Sequence, residues 1–352
     1  MIDISKLTYK IVVLGETGGQ LDVTDITDNL SWEENDGELA MRLSVTLANT
    51  THNGKRISSI AKPNCYIIVT AEVESASDEV ARVRITEWEP TRTGESDSIV
   101  LSGYDELYDL QKSQDNRYLP EGTGTDTAIK AIFSEWGIPI SRYEGPSNPN
   151  AKTTYRNEYL SDIILDLMNT AVQHGEKECV IRAKKGKVSI EPRGTNGTVY
   201  VFTDALNLEL SRYRISTVDM VTVVKIVAPE SSDGRQKIEA IENGKVQYGK
   251  RQRILVRDKE DSLATARAAA RKILEDDGKP AETFEVRSPD VPYIRKGDKV
   301  KVATRVYEGF AHVLSVQHNA TNRSMTMTIE PLAEAGDEKA DDQSAESELQ
   351  ER

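Results

Sequence analysis

Residues 62–74, KPNCYIIVTAEVE, lead into 79–90, EVARVRITEWEP, and 96–104, SDSIVLSGY. Near the other end, 295–306, RKGDKVKVATRV, leads into 310–320, FAHVLSVQHNA, and 323–332, RSMTMTIEPL. Each set reads as a polar or Pro/Gly turn, a strand, a short turn, a longer strand, a polar turn and a final strand. The likeness is one of architecture, since few residues match. The sequence therefore predicts two small β-barrels of one topology, with residues 63–104 and 297–332 in equivalent positions. The third strands show one apolar face each: Ile99 and Leu101 in the first set, and Met325, Met327 and Ile329 in the second.

Working outward, residues 1–103 read as the first β-barrel domain. Leu39, Met41, Leu43, Val45 and Leu47 alternate with Ala40, Arg42, Ser44 and Thr46, the period of a strand with one buried and one wet side. Ile67, Val69, Ala71 and Val73 repeat it. Turn signals at Asn35-Asp36-Gly37, Asn53-Gly54 and Thr93-Gly94 separate the strands.

The pattern changes at Tyr104, and 104–198 reads as an inserted α+β domain. Ala128, Ile129, Ile132, Phe133 and Trp136 recur at helical spacing, with Thr125 as N-cap and Gly137 as the left-handed stop. Leu160, Ile163, Ile164, Leu167 and Ala171 mark a second helix that Gly175 ends. CVIRA, a turn at Lys185-Gly186, and KVSIEPR form a hairpin.

Residues 199–332 return to β as the second barrel domain. A hairpin is predicted at Asn243-Gly244, and one helix over about 262–277 with Leu263, Ala266, Ala270 and Ile273 as its buried face. Residues 333–352 hold eight acids and two bases and almost nothing to bury, so a disordered acidic tail is expected. The fold class is α+β and mainly β.

The totals restrict function. With 352 residues the chain has room for two or three domains, and a hydrophobic share of 38% suits several small ones. A net charge of −13 argues against sequence-specific nucleic-acid binding, which needs clustered Lys and Arg. No apolar run approaches the roughly 20 residues that span a bilayer, and IVVL near the start is too short for a secretion signal. Cys65 and Cys179 are isolated thiols in apolar runs, suited to a reducing cytosol and to core packing.

The search for chemistry returns no site. His312 and His318 lie on one predicted strand and should face the same side, but roughly 20 Å apart they are too distant to share an ion. His174 falls in the last turn of a helix, where a cation suits the macrodipole. Gly15-Glu16-Thr17-Gly18-Gly19 and Gly122-Thr123-Gly124 lack the Lys-Ser/Thr of a phosphate loop and read as turns. Trp32, Trp88 and Trp136 sit in amphipathic elements and read as core. Lys184-Lys185-Gly186-Lys187 is a hairpin tip, solvated or touching an acidic partner subunit. No catalytic, cofactor-binding or metal residue is assigned, no cofactor is expected, and the chain is expected not to be an enzyme.

Three segments carry a resemblance: IVLSGYDELYDL; TGTDTAIKAIFSEWGI with YRNEYLSDIILDLMNTAVQHG; and ATARAAARKIL with VRSPDVPYIRKGDKVKV and HVLSVQHNATNRSMTMTIEPL. In their order and spacing the chain resembles hub proteins of contractile phage tails and phage-tail-like bacteriocins, of the late-control protein D type. It looks most like the short XkdQ/YqbQ-like hub proteins of Gram-positive prophages. The resemblance implies a homotrimer that joins the six-fold tail tube to the three-fold central spike. Its implied partners are the tail tube protein, the central spike protein, other baseplate proteins and the tape measure protein. It implies synthesis in the bacterial cytoplasm and assembly into the particle. A cell-wall-degrading hydrolase or a carbohydrate-binding tail component is the alternative.

Overall fold

Strand alternation in the first triplet is strict, and the structure buries the face it marks. Ile67, Val69 and Ala71 are fully buried, as are Ile99 and Leu101. Side chains two apart on a strand share a face, so each apolar set meets one core. The computed structural model describes residues 6–15, 18–73, 76–205, 207–229, 236–257 and 262–332. The acidic tail expected at 333–352 lies outside the described residues.

The first triplet is an antiparallel meander of Tyr66–Val73, Ala76–Arg92 and Asp97–Tyr104, with the long strand in the middle. The second is a meander of the same order: Lys299–Ala303, Glu308–Asn319 and Ser324–Pro331. Met325, Met327 and Ile329 are buried as predicted.

The two triplets nevertheless belong to one hydrogen-bonded sheet. The long strand Glu308–Asn319 makes the link. Its first half pairs with Lys299–Ala303, through Lys299↔His312 to Ala303↔Glu308. Its second half pairs with Thr27–Glu34, through Val316↔Glu34 to Asn319↔Ser31. Thr27–Glu34 continues to Arg42–Ala48, which pairs with Asp97–Tyr104 of the first triplet. A register shift between Val313 and Ser315 accompanies the change of partner. Such a bulge bends the strand and turns its side chains over.

The mainly β class therefore holds, but the expectation of two separate barrels is corrected: no closed barrel forms among the described residues. The argument for internal duplication falls with it. The physical reason is that alternation fixes which face of a strand is buried, not which neighbour pairs with it.

The sheet is open but strongly rolled. Thr8–Leu14, near one end of the strand path, pairs with Tyr66–Val73. Yet Tyr9 on that strand meets Trp32 edge-on, at 5.5 Å between ring centroids. Leu30, Trp32, Leu43, Val45, Leu47, Ile67, Val69, Val83, Ile99 and Leu101 fill the roll as one cluster. Each fully buried side chain of this size contributes about 1.5–3 kcal/mol.

The α+β segment packs around a second cluster. Its helices Thr125–Glu135 and Leu160–Gln173 bury Ile129, Ile132, Phe133, Leu160, Ile163, Ile164 and Leu167. They cover strands ordered Ile140–Tyr143, Lys187–Pro192, Cys179–Lys184. Lys185 and Gly186 take positive φ of 53° and 74°, as the two-residue hairpin requires. Gly137 is left-handed as predicted, at φ 66°. Thr125 is not the cap: Gly124 holds that position, and the Thr125 hydroxyl donates to the Asn148 carbonyl at 2.9 Å. Leu39 and Ala40 join this second cluster, and the strand predicted from Leu39 begins at Arg42.

By internal contacts the chain divides into two units, Met1–Ser211 with Glu285–Arg352, and Arg212–Phe284. Within the second, strands run Ile238–Asn243, Val223–Val227, Gln252–Val256, the last pair parallel. Asn243-Gly244 is therefore not a hairpin, because the chain crosses to the far side of the central strand. The helix Leu263–Asp276 packs Ala266 and Ala270 onto Val224, Ile226 and Ala240. Its cap is Ser262, whose hydroxyl accepts from the Thr265 amide at 3.1 Å. Leu263, predicted on the buried face, is exposed.

Candidate functional site

Residues 288–298, SPDVPYIRKGD, run from the end of the strand Ala281–Pro289 through the loop that leads to Lys299–Ala303, and should by composition be wet. Instead Ser288, Asp290, Val291, Ile294 and Asp298 are buried. A buried loop must find partners for its backbone and charges. This loop finds them in three separate parts of the first unit.

Arg295 grips the first. Its Nε and Nη2 donate to the two oxygens of Glu34, at 3.0 and 2.7 Å. Its Nη1 reaches the α+β segment and donates to the Ala183 carbonyl at 2.7 Å. Lys296 donates through Nζ to the carbonyls of Asn35, at 3.1 Å, and Glu38. Burial works to raise the Glu34 carboxyl, but Arg295, Lys296 and Arg182 outweigh it and hold the carboxyl at about 2.

Asp298 grips the second. It accepts from Arg182 Nη2 at 2.7 Å and from the Arg295 amide at 2.9 Å. Arg182 Nε returns to the Lys296 carbonyl at 2.8 Å. Between them Gly297 sits at φ 84°, and a Cβ there would come within 2.7 Å of Val180. Only glycine satisfies both the conformation and the close approach.

Asp290 grips the third. It accepts from the Tyr9 hydroxyl and lies 2.6 Å from His318 Nδ1. His318 Nε2 donates to the Ile294 carbonyl at 3.0 Å, and its ring stacks on Trp32 at 4.8 Å. Nearby, Asp105 is buried and accepts from the Met41 and Leu107 amides at 3.0 Å each. Burial pushes its carboxyl up to about 7.

The arrangement is mechanical. Each carboxylate of the loop is already engaged by a cation, a hydroxyl or a backbone amide of another segment. Buried ion pairs of this kind fix which segments meet, and breaking one costs about 3–5 kcal/mol.

The residues singled out in the sequence fall elsewhere, His318 and Trp32 excepted. His312 and His318 face opposite sides, because the bulge between them reverses the alternation. His312 is half-buried, and burial lowers its imidazole below the usual range. His174 caps its helix, with Nδ1 2.8 Å from the Thr170 carbonyl. Trp32 is core, but Trp88 is exposed and its indole donates to the Ser58 carbonyl at 3.1 Å. Cys65 is buried; Cys179 is half-buried, and burial pushes its thiol up to about 11. Lys184 and Lys185 both pair with Asp78 of the same chain, at 2.5 and 2.9 Å. Among the described residues no group of three His, Cys, Asp or Glu could hold a metal ion.

Sequence reasoning does not single out Glu34, Asp290, Arg295 and Asp298. A signal is present, since Arg-Lys-Gly-Asp comes directly after a segment with two prolines and several apolar residues. A charged turn in solvent reads the same way.

The YQBQ-like family model matches residues 30–331. No curated protein matches the sequence. Among solved structures, the 43 kDa tail protein of prophage MuSo2 from Shewanella oneidensis superposes with a TM-score of 0.64. It is 13% identical, and the match covers 92% of this chain and 98% of that one. The tail protein from Neisseria meningitidis MC58 gives a TM-score of 0.65 at 13% identity, covering 91% and 96%. A chain of the Francisella PdpA–VgrG complex gives 0.55 at 8% identity, covering 93% of this chain and 59% of that one. The chain shares the fold of phage tail proteins and belongs to the YQBQ-like family.

Proposed function

We propose that this chain is a structural component of a phage or phage-like tail, acting as the hub of its baseplate. Three copies form a ring that joins the six-fold tube to the three-fold spike. The observation that carries the reading is the family match over 30–331, together with a fold coextensive with that of prophage tail proteins. The neighbour in the PdpA–VgrG complex belongs to an assembly, which favours a role built on protein partners. Internal duplication, which would have supported a three-to-six match independently, gives no support, because both triplets lie in one sheet.

The same reading makes the chain a non-enzyme. The buried junction around Arg295 fits it: a part that bears load during tail assembly needs its segments locked together. Incubation with purified peptidoglycan tests this side of the proposal. No release of soluble fragments is expected. Reproducible clearing, abolished by one carboxylate substitution, would overturn it.

A further inference from the structure

The outer face of the second triplet carries two cations that meet no acid among the described residues. Lys299 and Lys301 point to the same side of Lys299–Ala303, and among the described residues neither forms an ion pair. Both ammonium groups lie over the ring of Phe310 instead, at 4.4 and 5.7 Å from its centroid. Phe310 is 43% exposed, and Val201, the register partner of Lys301 on the next strand, is 51% exposed. The other charges on this face are satisfied or peripheral. Arg193 pairs with Glu178 and Glu330, and Glu308 stands opposite Ala303 at the strand end.

The chain leaves the described residues at this same place. The Leu332 amide donates to the Phe310 carbonyl at 2.8 Å, so the last described residue is held on the strand that carries the exposed ring. The next ten residues bring Glu334, Asp337, Glu338, Asp341 and Asp342, with Lys339 the one base among them. Leu332 is two strands from Lys301, about 10 Å at the usual strand spacing. Residues 333–342, extended, would reach about 33 Å. Tethering beside the target raises the effective concentration to the millimolar range, so weak pairing suffices.

We propose that the acidic segment 333–352 folds back onto this face of its own chain, its carboxylates meeting Lys299 and Lys301 and its backbone crossing Phe310. The inference does not depend on the hub reading. Zero-length carbodiimide coupling of the full chain, followed by peptide mapping, tests it. At low ionic strength, Lys299 and Lys301 should couple to acids of 334–342 several-fold more than the exposed Lys55, Lys62 and Lys152 do. At about 1 M salt, where the screening length is about 3 Å, the excess should vanish. Mixing isotopically light and heavy chains distinguishes links within a chain from links between copies. The double variant Lys299→Gln, Lys301→Gln should leave the thermal midpoint unchanged and raise the rate of proteolysis within 333–352 several-fold. Coupling spread evenly over all lysines, links only between copies, or proteolysis unaffected by the double variant would each overturn the proposal.

Discussion

Replacing Glu34 by glutamine keeps the shape of the side chain and removes its charge. Arg295 then stays in place with its guanidinium uncompensated in a buried setting. Removing one partner of such a pair costs about 3–5 kcal/mol. At about 2 °C per kcal/mol for a chain of this size, the thermal midpoint should fall by about 6 °C or more. Arg295→Met alone should cost as much, because it strands Glu34 and leaves the Ala183 carbonyl without its donor. The double variant Glu34→Leu, Arg295→Met should be less damaging than the sum of its parts, with a coupling of at least about 2 kcal/mol. The pair also sets a pH signature. The folded carboxyl titrates at about 2, below its ordinary value of 4.5. Its contribution is therefore complete above about pH 4.5 and is lost as pH falls towards 2. The gap between wild type and Glu34→Gln should narrow over that window and stay constant above it. Thermal unfolding monitored by circular dichroism measures the midpoint shifts, and urea unfolding at a series of pH values measures the coupling and the pH signature. Single variants within about 1 °C of wild type, or strictly additive costs, would refute the junction as the lock between segments.

The same loop and the acidic segment give further expectations. His318→Leu should cost about 3 kcal/mol, because Asp290 loses its facing imidazole and the Ile294 carbonyl loses its donor, and the urea midpoint reports it. Gly297→Ala should destabilise by about 1–3 kcal/mol, and adding Val180→Ala should recover only part, since the positive φ of 84° remains unfavourable. Removing 333–352 should move the thermal midpoint by less than about 2 °C, because exposed ion pairs contribute about 0–1 kcal/mol. A larger loss would place part of that segment in the core.

Much of the fold is legible because its strands are strictly two-faced. Ile67, Val69, Ala71, Ile99 and Leu101 announce their burial by spacing alone, as do Ile163, Ile164 and Leu167 on their helix. Pairing is not legible. Nothing in FAHVLSVQHNA marks Leu314 as the place where the strand changes partners, since a bulge is a relation between strands. That one residue puts His312 and His318 on opposite faces, and the pairing of Val316–Asn319 with Ser31–Glu34 brings the two triplets into one sheet. The junction is hidden for a different reason. Arg295 and Glu34 are 261 positions apart, and charge in a turn reads as solvated until the partner is known.

Electron microscopy of a tail particle containing this chain tests the hub proposal most directly. The account predicts three copies, arranged as one ring between the last tube hexamer and the spike, with the rolled sheet and the Arg295 junction intact in each. Two or six copies per tail, or a position away from the tube–spike junction, would contradict it.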